Sequence, residues 1–550
     1  MIHEPGQPYN FPLIIKHLLE PALTRSPNQE IIYRDQLRFT YQDLRYRIDG
    51  LASALHGLGV KQGDVVAVMD YDSHRFLECL FAIPMMGAVL QTVNWRLSLD
   101  QMTYTLNHAQ AKVLLVNTDF LPLMEKMRDR LETVQKVVVF KEDGKSLTSS
   151  FPIAGHYEAL LEQAEPAFDF PDLDENTVAT TFYTTGTTGN PKGVYFTHRQ
   201  LVLHTLATSV AVSAYDSVGR FRSEDVYMPL TPMFHVHAWG IPFVATLMGV
   251  KQVYPGKYEP EMLLKLIATE GVTFSHCVPT ILQMLTSSPA VKAFDLSSWK
   301  VVIGGSRLPR GLAEDAWKLG ITAYAGYGMS ETCPIISLGM PGDNWQTLPP
   351  DALMDIVIKT GRPIPLVEIR IVDSMGRFLP HDGVSTGEVV FRAPWLTQGY
   401  VRDDTRSQEL WRDGWLYSGD VGVIDEDGYL QVTDRLKDVI KTGGEWVSSL
   451  ELENTLSRHE SVLESAAIGV PNNKWGERPV MLVHLKPEAI GSVGSEDLKS
   501  YLQDAADNGE IPSYGVPDSI EIVDQLPKTS VGKLDKKVMR NRFSPRSEST

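Results

Sequence analysis

Apolar and polar positions along this chain alternate between two periods. Residues 41–58 repeat apolar side chains at helical spacing and lead into the short apolar run 65–70. A helical run at 74–86, a second at 99–109, and strand-like runs at 112–116 and 136–140 follow. Short β-branched runs separated by amphipathic helices predict βαβ units around a parallel sheet. The rhythm returns downstream, with strands predicted at 225–230, 251–255, 272–278, 301–303 and 321–325. Residues 143–175 carry no clear period and are expected to form surface loops. Self-similarity at a period of about 20–50 residues is absent, which excludes a solenoid.

The pattern changes near residue 366. Runs at 366–373, 387–391, 416–423 and 429–432 are short and separated by Gly, Asp and Pro, which predicts a small antiparallel sheet or barrel appended to the α/β region. A second change falls at Asp434-Arg-Leu-Lys-Asp438. Beyond it, a helix at 449–457, strands at 465–470 and 480–485, a helix at 497–505, a strand at 519–523 and a last helix from Leu534 fit a separate α+β domain.

Composition narrows the function classes. A chain of 550 residues is long enough for several units with ample core. At 43% hydrophobic and 22% charged it reads as a soluble globular protein. A formal charge of −17 argues against a nucleic-acid or anionic-membrane surface, so an anionic ligand has to be held by local groups. Cys79, Cys277 and Cys333 are far apart and lack CxxC spacing; they read as reduced thiols in a cytoplasmic protein. The first ten residues have neither a basic segment nor an apolar one, so no secretory signal is expected. The most apolar stretches, 80–90 and 241–250, are about half a bilayer span and predict buried core, with no integral membrane segment.

Several stretches carry candidate chemistry. Thr184, Thr185, Thr187 and Thr188 with Gly186, Gly189, Gly193 and Lys192 follow a β-prone run. Glycines admit backbone N–H groups, hydroxyls donate hydrogen bonds and lysine adds charge, so the loop suits a polyphosphate; a flexible turn is the other reading. No Gly-Lys-Ser/Thr closes it, so it is not a Walker A loop. His235, His237 and Trp239 stand two apart, as at a strand end with alternate faces; without a third ligand nearby, zinc is rejected. Gly304, Gly305 and Ser306, and the run Gly326-Tyr-Gly-Met-Ser-Glu-Thr332, set a carboxylate beside hydroxyls, which suits Mg²⁺ or a solvated turn. A dinucleotide fingerprint would need a third glycine. Tyr417-Ser-Gly-Asp420 with Arg435 offers a carboxylate to paired hydroxyls, or an ordinary turn.

Taken in order, these stretches resemble the signature motifs of the adenylate-forming superfamily of acyl-CoA synthetases, luciferases and adenylation domains. The carriers are the Thr/Gly loop with Pro191-Lys192, Pro-Met-Phe-His-Val-His-Ala-Trp, Tyr-Gly-Met-Ser-Glu, Tyr-Ser-Gly-Asp, the 434–448 run, and Pro527-Lys-Thr-Ser-Val-Gly-Lys533. The resemblance covers nearly the whole chain. It implies an α/β protein with a large N-terminal domain of parallel sheets over 1–434, a small β-barrel near 366–433, a hinge at 435–438 and a smaller mobile α+β lid over 439–550.

The same resemblance implies roles. The 184–192 loop holds the ATP phosphates; Tyr327 stacks on adenine, with Gly304, Gly305 and Ser306 as the other wall; Gly326 and Gly328 flank it. Ser330 touches the α-phosphate, and Thr184 with Glu331 binds Mg²⁺. Asp420 and Arg435 hold the ribose. Lys437 is the pivot, Lys441 supports a phosphate, and Lys533 is the catalytic lysine. His235, Val236, Trp239, Gly240 and Met329 border the acyl pocket, His235 as an orienting ring and Trp239 as its gate; His237 stands where asparagine is common. Gly443, Gly444 and Trp446 line a CoA channel. The implied reaction joins a carboxylic acid to CoA with ATP through acyl-AMP. Motif detail is nearest to medium- and long-chain fatty acyl-CoA synthetases, some of which are dimers, so a homodimer is left open. A short or methylthio-alkanoate acid, or a carrier protein as acceptor, are the alternatives.

Overall fold

The computed structural model describes residues 9–141, 151–184, 190–442, 445–472, 474–529 and 534–542. Two large sheets form its main body. The seven-stranded sheet runs in the order Ile153–His156, Lys136–Phe140, Ala111–Asn117, Val65–Met69, Val89–Thr92, Val178–Thr184, Lys192–Thr197. All its pairings are parallel except the last, where the chain turns back on itself. The nine-stranded sheet has a parallel centre of Thr322–Gly328, Lys300–Ile303, Phe274–Cys277, Val226–Leu230 and Lys251–Tyr254.

Local sequence explains why the helices sit where they do. Ser98 and Gln101 form a reciprocal capping box before Leu99–Ala109, as Thr40 and Asp43 do before Tyr41–Gly57. Helix His74–Met85 is buried on every face, including Arg75 and Glu78. Its charges survive there because Glu78 meets Arg47 at 2.7 Å and accepts the Tyr157 hydroxyl. Tyr157 belongs to helix Tyr157–Gln163, which follows strand Ile153–His156. The expectation of surface loops over 143–175 is therefore corrected across these residues. Their apolar positions are few, but Tyr157 and Leu161 are enough to dock a short helix on a sheet edge.

The antiparallel sheet appended after residue 366 joins Glu368–Val372, Gly387–Arg392 and Trp415–Ile424, with Trp411–Arg412 and Leu430–Arg435 both on the last of these. A further sheet of Glu445–Val447, Ile440–Thr442, Gly476–Leu485, Val462–Asn472 and Ser519–Ile522 carries helices Ser449–Ser457 and Ser495–Asp507. The large core cluster ends at Leu430, and the core of this last sheet begins at Ile440. Helix Ser449–Ser457 packs against helix Arg310–Lys318, close enough that a Cβ on Gly311 would stand 2.7 Å from the Ser457 carbonyl oxygen. Among the described residues, no helix is long and apolar enough to cross a membrane.

Candidate active site

A cleft of about 1890 Å³ opens where the parallel strands of both large sheets end. Ligands in α/β folds bind at such carboxyl ends, because the loops there converge while the strands stay rigid. Thr184 ends one strand, Gly305 and Ser306 follow another, and Tyr327 lies one residue before the end of a third.

One wall is polar and tightly paired. The Tyr327 hydroxyl donates to Asp420 Oδ2 at 2.6 Å, and Asp420 Oδ1 meets Arg435 Nε at 3.2 Å. Asp420 and Arg435 are cross-strand partners, so the β-ladder itself sets their spacing. Burial, then the Asp420 charge, pushes the Tyr327 phenol well up, while Asp420 raises the Arg435 guanidinium. The phenol stays neutral and the guanidinium stays charged. Gly326, Tyr327, Gly328, Met329 and Ser330 all face the cleft. Gly328 has no alternative, since a Cβ there would lie 1.7 Å from the Pro334 carbonyl oxygen.

Thr184 and Lys192 are partners in an antiparallel strand pair, and both line the cleft. Thr185, Gly186, Thr187, Thr188 and Gly189 lie outside the described residues. Lys192 Nζ sits 4.6 Å above the centre of the Tyr400 ring, and the Tyr400 hydroxyl donates to Glu331 Oε1 at 2.7 Å. Tyr400 thus orients both charged groups. Sequence reasoning passed over it; the only signal was an aromatic after Gly399 in a short loop. Glu331 is 7% exposed and lines the cleft beside Ser330. Among the described residues no cluster of three His, Cys, Asp or Glu side chains could cage a metal. One fixed carboxylate plus a hydroxyl suits Mg²⁺, which keeps waters and takes its remaining ligands from substrate phosphates.

The opposite wall is apolar and departs from expectation. His235, His237 and Trp239 are not on a strand: Val236, His237, Ala238 and Trp239 have φ of 48°, 55°, 48° and 59°, and Gly240 continues at 73°. A left-handed turn of non-glycine residues costs about 1–2 kcal/mol at each. Surrounding contacts hold it. Asp72 Oδ1 accepts from Met233 N at 2.8 Å, the Thr92 hydroxyl donates to Phe234 O at 2.7 Å, and His235 N donates to Pro232 O at 2.8 Å. Asp72 is another positioning residue that the sequence did not single out. Burial lifts its carboxyl to about 7, against hydrogen bonds from Tyr258 and Met233.

The turn sorts its side chains. His235 faces the cleft, and with Val236, Trp239 and Met329 it borders a small alcove off it. His237 points into the core, edge-on to Phe182 and Phe243, with both ring nitrogens buried and unbonded among the described residues. Burial drives its pKa down to about 3, so it is a neutral packing ring and not an alcove group. Gly240 lies outside the alcove, against the His204 ring. Gly304 does line it, and a Cβ there would stand 2.8 Å from Trp239 Cη2.

Residues from the C-terminal part of the chain also line the cleft. Lys437 lines it, with its pKa lowered by burial and by Arg435. Thr529 and Leu534 also line it; Lys533 between them lies outside the described residues, as do Gly443 and Gly444. Lys441 is exposed and not brought to the cleft; its N–H donates to Glu477 Oε2 at 2.9 Å. Trp446 pairs with Lys441 in the strand ladder. Asp434 Oδ2 accepts from Ser449 N at 2.6 Å, at the start of helix Ser449–Ser457.

Comparison with known proteins agrees with this architecture. The AMP-binding enzyme family model matches residues 19–401, and the model of the AMP-binding enzyme C-terminal domain matches residues 451–533. The chain is 39% identical to a long-chain-fatty-acid–CoA ligase of Thermus thermophilus over 96% of this chain and 94% of that one. It is 37% identical to a 3-methylmercaptopropionyl-CoA ligase of Ruegeria lacuscaerulensis, with 98% of each covered. Among solved structures, an anthranilate CoA ligase in complex with anthranoyl-AMP superimposes with a TM-score of 0.84 at 26% identity, covering 97% of this chain and 98% of that one. These matches identify the chain as a member of the AMP-binding enzyme family.

Proposed function

We propose that this protein is an AMP-forming acyl-CoA ligase, joining a carboxylic acid to CoA with ATP. The observation that carries the reading is the convergence on one cleft of the Tyr327–Asp420–Arg435 group, the Thr184–Lys192 pair, Glu331 and the residues flanking Lys533. Tyr327 and the Gly304–Ser306 wall take adenine, Asp420 and Arg435 take the ribose hydroxyls, and Lys192 takes phosphate. Thr184 and Glu331 would hold Mg²⁺, which when bound neutralises charge on the phosphates.

In the first step a carboxylate oxygen attacks the α-phosphorus, the bond to the bridging oxygen breaks, and pyrophosphate leaves. Lys533 offsets charge on the phosphoryl oxygens, and Ser330 donates to them. In the second step the CoA thiolate attacks the acyl carbonyl and AMP departs. Residues 1–434 act as the main domain and 439–550 as a lid turning about 435–438, with Lys437 as pivot. The separate cores on either side of this segment support that division. After the turn, Gly443, Gly444 and Trp446 border the CoA channel. Enclosing both steps excludes water from a reactive anhydride.

Motif detail favours a medium- or long-chain fatty acid. The alcove favours the other reading, a short or methylthio-alkanoate acid, because it measures only about 40 Å³. AMP release measured with and without CoA, over carboxylates from propionate to palmitate and aryl acids, tests the function. No CoA-dependent release with any acid would overturn it, and release that depends on a carrier protein would reassign the acceptor.

A further inference from the structure

Behind the acyl alcove lies a polar, fully packed stack that neither the motifs nor the proposed chemistry uses. The alcove shares His235, Met329 and Ser330 with the nucleotide cleft, and Gly305 and Tyr327 of the adenine wall border it too, so an acyl group joined to AMP would enter it beside the nucleoside. Its volume of about 40 Å³ has room for about three or four water-sized groups. Trp239 forms the far wall, its indole lying against the bare Cα of Gly304. A wall of one side chain could swing away. What stands behind it decides whether a longer chain could then follow.

Behind Trp239 stands His276, on strand Phe274–Cys277, with ring centroids 5.0 Å apart and an interplanar angle of 34°. Beyond His276, the Tyr227 ring is stacked at 16°, and the Phe221–Phe274 pair, 4.2 Å apart, fills the next layer. His276, Tyr227, Phe221 and Phe274 are all 0% exposed. Both His276 nitrogens are engaged: Nε2 with the Tyr227 hydroxyl at 2.8 Å and Nδ1 with the Thr231 hydroxyl at 3.2 Å. Burial lowers the His276 pKa to about 3, so the ring is neutral, with one nitrogen donating and the other accepting. Displacing it would leave buried polar groups unpaired, at about 1–3 kcal/mol each. An aliphatic chain offers nothing in exchange.

We propose that His276, locked by Tyr227 and Thr231, is the specificity-determining residue that floors the acyl alcove. It restricts this enzyme to short acids of about three to five heavy atoms along the chain. The floor rests on the acyl-CoA ligase reading, because it needs the acyl group to enter from the nucleotide cleft. Trp239 alone does not set the length limit; removing it gains only the indole's own space. Butyrate and 3-(methylthio)propionate fit this length, whereas octanoate and longer acids need the space of His276.

The test is CoA-dependent AMP release by the full chain with butyrate, 3-(methylthio)propionate, octanoate, dodecanoate and palmitate. Wild type, Trp239→Ala, and Trp239→Ala combined with His276→Ala and Tyr227→Phe are compared. Changing Tyr227 with His276 avoids an orphaned hydroxyl. Wild type is expected to prefer butyrate over dodecanoate by about 100-fold or more in kcat/KM, Trp239→Ala to shift the optimum by a few carbons, and the triple variant to accept dodecanoate. Titration of wild type with butanoyl- and dodecanoyl-sulfamoyl adenosine reads the same preference without turnover and without relying on the triple variant folding. Palmitate turned over as well as butyrate by wild type, or long chains admitted by Trp239→Ala alone, would overturn the floor and leave the ligase reading intact. AMP release with no acid, and binding of neither analogue, would instead overturn the ligase reading and the floor with it.

Discussion

The two walls of the cleft are built by different means. The wall proposed to hold the nucleotide is made of residues close in sequence to a turn or directly opposed across a β-ladder: Asp420 with Arg435, Thr184 with Lys192, Glu331 beside Ser330. Its groups are charged, paired and open to the cleft. The wall proposed to face the acyl group is made of a left-handed turn that carries Trp239 and of rings from other strands, His276 and Tyr227, with Asp72 bracing the turn from the other sheet. Its groups are neutral and closed off. A wall that must bind a constant nucleotide can be specified by short motifs, whereas a wall that selects a variable acid is specified by packing.

Removing charged groups from the nucleotide wall should damage catalysis whatever the acid. The largest loss is expected for Lys533→Ala, which should lower acyl-AMP formation by about 10²–10³ while largely sparing thioester formation from supplied acyl-AMP. Equal loss in both half-reactions would sink the two-pose scheme. Asp420→Ala leaves the Tyr327 hydroxyl and Arg435 without their shared acceptor, and should raise the KM for ATP by about 10–100-fold with the order of acid preference unchanged. A change in acid order with unaltered ATP kinetics would erase the distinction between the walls. Tyr400→Phe removes the hydrogen bond to Glu331 Oε1 and keeps the ring beneath Lys192. It should cost about 5–10-fold in kcat and raise the Mg²⁺ concentration for half-maximal rate; a rise in the KM for the acid alone would contradict its placement.

The acyl wall should instead answer to pH through its brace, with the smallest effect on activity. Asp72 holds its proton up to a pKa of about 7 when folded, against about 3.9 in an unfolded chain. The native state therefore binds the extra proton between these values. The stability this contributes is full below about pH 4, declines as pH rises toward 7, and is gone above that. Arg96, Tyr258 and Asp70 are the charged or titratable groups that act on it. Denaturant unfolding from pH 4 to 8 should show this decline, and Asp72→Asn should flatten it. An identical slope in the variant would remove Asp72 from the account.

Legibility followed the same division. The parallel sheets, the helix at 99–109 and the helix at 449–457 matched their predicted bounds closely, because period and capping act over a few residues. The strand and helix at 153–163 were missed because a short helix can dock by two apolar side chains, too few to make a period. The alternation His235, His237, Trp239 suggested a strand, yet the backbone there is left-handed. Asp72 accepts from Met233 N and Thr92 donates to Phe234 O just before that turn, and neither residue is near it in sequence.

By itself the sequence determined the parallel α/β body, the order of its appended units and the motifs proposed to hold the nucleotide. These depend on interactions within a turn, a helix or a single ladder. Tertiary structure decided that Tyr400 orients Glu331 and Lys192, that His237 faces the core, and that His276 stands behind Trp239. Each of these is a contact between segments far apart in the chain, where burial and the need to pair buried polar groups choose the outcome.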